Sequence, residues 1–203
     1  MRGLLVDFGG VLTTNVFDSF RAFGEAEGLG PDAVKRAFRE DPQALELLRK
    51  LERGDIDVED FEPQFGARLG VSNTDGLVGR LFGGVGPDEA MLDAVRAAGR
   101  AGIRTGLISN SWGAGLSYDK SLLDELFDAV VISGDVGMHK PEPAIYLLGA
   151  ERIGVMTEHC VFVDDLRENC QGAEEVGMTA ILHRGAAATV LELERLFRVE
   201  LAV

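Results

Sequence analysis

Five short apolar runs punctuate this chain: LLVDF (4 to 8), RTGLIS (104 to 109), AVVIS (129 to 133), CVFVDD (160 to 165) and TAILH (179 to 183). All but the first follow segments with helical periodicity. Unbroken apolar strands are those buried on both faces, and their alternation with helices is the pattern of a parallel sheet wound by crossover helices. PDEAMLDAVRAAGRAG (87 to 102) is a crossover of this kind. It opens on Pro87 and acids, ends at Gly102, and aligns Met91, Leu92, Val95 and Ala98 on one stripe. The pattern predicts an α/β fold with helices on both faces of the sheet.

Residues 15–85 depart from that alternation. They contain several helical stretches and no strand: Phe17, Phe20 and Phe23 at helical spacing, a helix opened by Pro31 and Asp32, and Val58, Phe61, Phe65 and Leu69 after a break at Gly54. The expectation is a sheet-bearing core of residues 1–14 and 86–203 with a small α-helical insert at 15–85, its aromatic stripe packed as a helical core. GLVGRLFGGVG (76 to 86) reads as a flexible hinge back to the core.

In such a sheet, ligands bind beyond the carboxyl ends of the strands. The polar residues expected there are Asp7 after the first strand, Ser109 and Asn110 after the second, and Asp164 and Asp165 after the fourth. Lys140 belongs to the loop GMHKPEP after the third, before a helix that Pro141 and Pro143 help to start. Each alone is ordinary turn or capping chemistry. Together they supply carboxylates for a metal or a nucleophile, a hydroxyl and an amide for an oxyanion, and one fixed cation.

Charge narrows the partners. The chain has 34 acidic and 20 basic residues among its 203, a formal charge of −14 that repels phosphate backbones, so no nucleic acid partner is expected. An anionic substrate would be repelled too, unless a local cation or metal offset the field. MRGLLVDFGG is interrupted by Asp7 too soon for a signal segment and no apolar stretch spans a membrane, so a cytoplasmic protein without membrane contact is expected. Cys160 and Cys170 read as buried reduced thiols. No feature of the sequence selects an oligomeric state.

The order DFGGVLT (7 to 13), SN (109 to 110), Lys140 followed by Pro, and VDDLREN (163 to 169) resembles the four motifs of the haloacid dehalogenase superfamily of hydrolases, over essentially the whole chain. DFGGVLT together with VDDLREN resembles the subgroup that includes the amino-terminal phosphatase domain of soluble epoxide hydrolases. The resemblance implies a Rossmann-like core and an insert that acts as a cap over a small phosphorylated substrate. It makes Asp7 the nucleophile that forms an aspartyl-phosphate. Mg²⁺ is implied at Asp7, the Gly9 carbonyl and Asp165, with Asp164 and Asn169 orienting from behind. Ser109 would bind the phosphoryl oxygens, Lys140 would neutralise charge, and Asn110, Gly10 and Trp112 would line the substrate site.

Gly9 breaks the pattern. Phosphatases of the family carry there a second Asp that protonates the leaving group, worth about 10²–10⁴ in rate. Slow turnover is one consequence; a substitute acid from Asp18, Glu25 or Asp55 of the insert is another. Two alternatives remain open: a metal-independent 2-haloacid dehalogenase-like hydrolase, which the pair Asp164 and Asp165 argues against, and a silent binding or regulatory protein. Trp112 could instead pack on the insert. His139 is expected in solvent, and His159 and His183 as structural.

Overall fold

The computed structural model describes residues 2–112 and 119–201. In chain order its elements are β1 (Gly3–Val6), α1 (Val16–Ala26), α2 (Ala33–Glu40), α3 (Pro42–Arg53), α4 (Val58–Leu69), α5 (Leu77–Leu81) and α6 (Glu89–Arg100). There follow β2 (Arg104–Ser109), α7 (Lys120–Leu126), β3 (Ala129–Ile132), α8 (Ser133–Val136), α9 (Pro143–Ile153), β4 (Cys160–Asp164), α10 (Arg167–Glu175), β5 (Thr179–Leu182) and α11 (Ala186–Phe197). The strands form one parallel sheet in the order β3-β2-β1-β4-β5. Each strand lies within an apolar run read from the sequence, except that β1 begins one residue earlier, at Gly3.

Successive side chains of a strand point to opposite faces, so each strand feeds two cores. Leu4, Val6, Leu107 and Val163 pack with Met91, Leu92 and Val95 of α6 and Leu193 and Phe197 of α11. Leu5, Ile108 and Phe162 face the other way, onto Ile145, Tyr146 and Ile153 of α9 and Ala173 of α10. All four stripe residues of the 87–102 segment are buried, and Asp88 starts its helix by accepting from the Met91 N–H.

Helices α1 to α5 bury a third cluster of their own, built on Phe20, Phe23, Leu47, Leu51, Phe61, Phe65, Leu77, Val78 and Leu81. Local signals place their ends. Asp41 accepts from Gln43 and Ala44 ahead of Pro42, and Gly54 closes α3 in the left-handed conformation. The stretch 76–86 is not a loose hinge throughout, because α5 occupies its first half and Leu77, Val78 and Leu81 are fully buried. Apolar burial overrode its glycine content. Ser133, taken as the end of the third strand, instead begins α8.

The two connections between these helices and the sheet run side by side. Thr14 N–H donates to Gly86 O at 2.7 Å and Asp88 N–H to Leu12 O at 2.9 Å, with an antiparallel bridge between Thr13 and Pro87. Among the described residues, no helix is long and apolar enough to cross a membrane.

Candidate active site

Parallel pairing brings three strand ends level. The Asp7 N–H, one residue past β1, donates to Val163 O at 2.9 Å, so Asp7 sits beside Asp164, the last residue of β4. Ser109, buried, ends β2, and Asn110 follows. Lys140, from the loop before α9, reaches across: its Nζ donates to Asp7 Oδ1 and to Asp164 Oδ2, each at 2.7 Å. The ammonium is almost wholly buried.

Asp164 has no oxygen to spare. Oδ1 accepts from the Leu166 N–H at 2.8 Å and from Asn169 Nδ2 at 3.0 Å, while Oδ2 takes Asn169 Nδ2 and Lys140. Asn169 is held in turn through its carbonyl, which accepts from Tyr146 OH at 2.8 Å. Asp165 is less committed and half-buried. A side chain on Gly10 would put its Cβ 2.6 Å from Asp165 Oδ2, and Gly10 has φ +77°, so only glycine lets that carboxylate come so close. The Gly10 N–H itself donates to Thr13 Oγ1 at 2.9 Å.

Asp7, Asp164 and Asp165 each place one oxygen within 4.8 Å of the other two. Three carboxylates thus face one ammonium. Burial pushes the Asp7 carboxyl up to about 7, against the pull of Lys140 and with the push of Asp164 and Asp165. Asp165 is raised to about 6, again by burial and then by Asp164. Burial opposes the charge on Lys140, but Asp164 and Asp7 outweigh it and hold the ammonium above its ordinary range. A site with surplus negative charge and only oxygen donors fits a small hard divalent cation.

Asn110 organises the neighbouring loop. Its Oδ1 accepts from the Lys140 N–H at 2.9 Å and its Nδ2 donates to Lys140 O at 3.1 Å, bracketing the residue that bridges the carboxylates. The same Nδ2 lies 3.3 Å from Glu52 Oε2 at the end of α3. Burial raises the Glu52 carboxyl to about 8, with Lys140 lowering it and Asp7 raising it. Sequence reasoning missed Glu52, which reads as one more charge in RKLERGD. The acids it favoured, Asp18, Glu25 and Asp55, are exposed, and Asp55 pairs with Arg53 at 3.2 Å.

Trp112 sits among aromatic rings of the inserted helices, with centroids 5.1 Å from Phe82, 5.7 Å from Phe20 and Phe38 and 6.1 Å from Phe61. His139 is buried rather than solvent-facing. Its Nδ1 is 2.9 Å from Lys140 O, and its Nε2 is 3.4 Å from Arg53 and 3.3 Å from Glu142, because α3 covers the loop that sequence alone leaves open. His159 is exposed, while His183 is buried against Thr189 Oγ1 at 2.9 Å. Cys160 and Cys170 are buried free thiols.

A profile of haloacid dehalogenase-like hydrolases matches residues 1–177. Among characterised relatives, bifunctional epoxide hydrolase 2 of Rattus norvegicus is 33% identical over 115 residues, 53% of this chain and 21% of that protein. The chain thus matches about a fifth of that relative's length. The sesquiterpene phosphatase astK of Aspergillus oryzae is 27% identical over 155 residues, 74% of this chain and 79% of its own. Among solved structures, a HAD family enzyme of Bacteroides thetaiotaomicron superposes with a TM-score of 0.70 at 21% identity, covering 98% of this chain and 99% of its own. That enzyme has also been crystallised with magnesium and inorganic phosphate.

Proposed function

Because the chain belongs to the haloacid dehalogenase-like hydrolase family, we propose that it is a Mg²⁺-dependent phosphatase of small phosphorylated compounds, with Asp7 as nucleophile. The observation that carries this reading is the convergence of Asp7, Asp164 and Asp165 on one point with Lys140 bridging two of them. A metal-free dehalogenase gains nothing from two further carboxylates facing its nucleophile.

Asp7, Asp165 and the carbonyl of Gly9 would hold the cation, which when bound neutralises the phosphoryl oxygens. Asp164, saturated by Lys140, Asn169 and the Leu166 N–H, orients rather than ligates. The Asp7 carboxylate attacks phosphorus in line with the leaving oxygen, giving an aspartyl-phosphate that water hydrolyses. Ser109 and the amide after it bind the transferring oxygens, and Lys140 balances their charge without moving. Helices α1 to α5 act as the cap, with Trp112 as the core residue they close upon. With a divalent cation bound, the surplus carboxylate charge of the site would be offset, so that the acidic surface would no longer be reinforced where an anionic substrate binds.

An assay of p-nitrophenyl phosphate and acetyl phosphate with and without Mg²⁺ tests this. Turnover should require Mg²⁺ and vanish in Asp7→Asn. Equal rates after chelation would remove the metal from the reading, and chloride release from a 2-haloacid without metal would replace it with the dehalogenase one.

A further inference from the structure

Resting on the phosphatase reading, we propose that Glu52 of α3 donates the proton to the leaving group and then takes one from the attacking water, the task for which Gly9 has no side chain. Its placement is fixed from two sides. The Ser133 hydroxyl donates to the Glu52 carbonyl while accepting from the Ser111 N–H at 2.8 Å. A Cβ on the next residue but one, Gly54, would lie 2.9 Å from Gly134 O, so the end of α3 and α8 meet there with no side chain between them. The end of α3 is thereby pinned over the β2 and β3 ends, and the Glu52 side chain is directed at Asn110, the residue that brackets Lys140.

Among the groups acting on the Glu52 carboxyl are Lys140 and Asp7, the residues at the centre of the reaction. Burial raises its carboxyl to about 8, which favours at neutral pH the protonated state a leaving-group donor needs. The other acids of the insert considered for this task, Asp18, Glu25 and Asp55, lie in solvent. An acid supplied by the cap is present only when α3 is seated, so proton transfer waits for closure.

The steps balance. As the Asp7 oxygen bonds to phosphorus, the bond from phosphorus to the ester oxygen breaks and the Glu52 proton passes to that oxygen, releasing an alcohol. Glu52 is left as a carboxylate. It accepts a proton from water as the water oxygen attacks the aspartyl-phosphate; the bond from phosphorus to Asp7 breaks, inorganic phosphate leaves, and both side chains return to their starting states.

Glu52→Gln keeps the size and the acceptor that Asn110 contacts but cannot transfer a proton. The test compares it with wild type, in Mg²⁺, on glycerol phosphate, an ester with a poor leaving group, and on acetyl phosphate, whose leaving group needs no proton. Glu52→Gln should lose about 10²–10⁴-fold on glycerol phosphate. On p-nitrophenyl phosphate it should give a burst of nitrophenol followed by slow turnover, because the departure step survives and the water step does not. The alkaline limb of the wild-type profile on glycerol phosphate should flatten. Gly9→Asp added to Glu52→Gln should restore glycerol phosphate turnover; the Gly9 Cβ would meet only Val16, at 3.4 Å, an ordinary contact distance.

Wild-type turnover of glycerol phosphate by Glu52→Gln, with no burst on p-nitrophenyl phosphate and an unchanged pH profile, would overturn the assignment of Glu52 while leaving the phosphatase reading intact. Absence of Mg²⁺-dependent turnover in wild type on every ester would overturn both.

Discussion

Removing the Lys140 ammonium leaves two buried carboxylates facing each other with no counter-charge. Breaking a buried ion pair from one side costs about 3–5 kcal/mol, so Lys140→Met should lower the stability of the metal-free protein by that order, measured by urea denaturation. The loss should be larger at pH 8 than at pH 5, where Asp7 and Asp165 can take up protons instead. Asp7, Lys140 and the acidic pair were legible in the sequence because each follows a strand whose end is readable, and their meeting follows from parallel pairing. Glu52 was not legible. Nothing within α3 separates it from Glu46 or Arg53; its role arises only where the helix end meets Asn110 and Ser133.

Among the elements, the loop after β2 does two jobs. Asn110 holds the Lys140 loop, while Trp112, two residues on, enters the aromatic cluster of α1, α2, α4 and the segment after α5. Trp112 is only partly buried, so Trp112→Ala should destabilise by less than the roughly 3–5 kcal/mol of a fully buried aromatic truncation. Because the ring joins core loop to inserted helices, KM should rise and hydrogen exchange should quicken in α1 and α4 while β1 and β4 remain protected. The sequence marked the strands and the stripe of α6, but it did not separate α3 from α2 at Asp41 and named no helix at α11, although both are twelve residues long. It missed α5 and α8, which are five and four residues long. In α5 the glycines signalled a loop, and only tertiary burial of Leu77, Val78 and Leu81 made a helix; in α8 no period can establish itself.

For the whole molecule, the buried and half-buried acids make stability depend on pH in an unusual direction. Asp7 at about 7, Asp165 at about 6 and Glu52 at about 8 all lie above their unfolded values. Between roughly pH 4 and 8 the folded chain therefore keeps protons that the unfolded chain has lost, and folding stability falls as pH rises through that window. The metal-free protein should melt highest in mild acid and lose Tm toward pH 8. A cation that binds only the folded state adds about 2.7 kcal/mol at a hundred times its Kd, and at about 2–4 °C per kcal/mol for a chain of this size Mg²⁺ should raise Tm at pH 8 by roughly 5–10 °C. Asp165→Ala should abolish most of that rise; a rise of the same size in the variant would remove Asp165 from the cation site.

The paired connections at Leu12 to Thr14 and Gly86 to Asp88 mean that some seventy residues depart from the sheet and rejoin it at a single doorway. A segment whose two ends already touch imposes little on what carries it. Evolution, or a designer, could reshape the helices beyond that doorway and leave the strand ends in register, provided the end of α3 that carries Glu52 still meets Asn110 and Ser133.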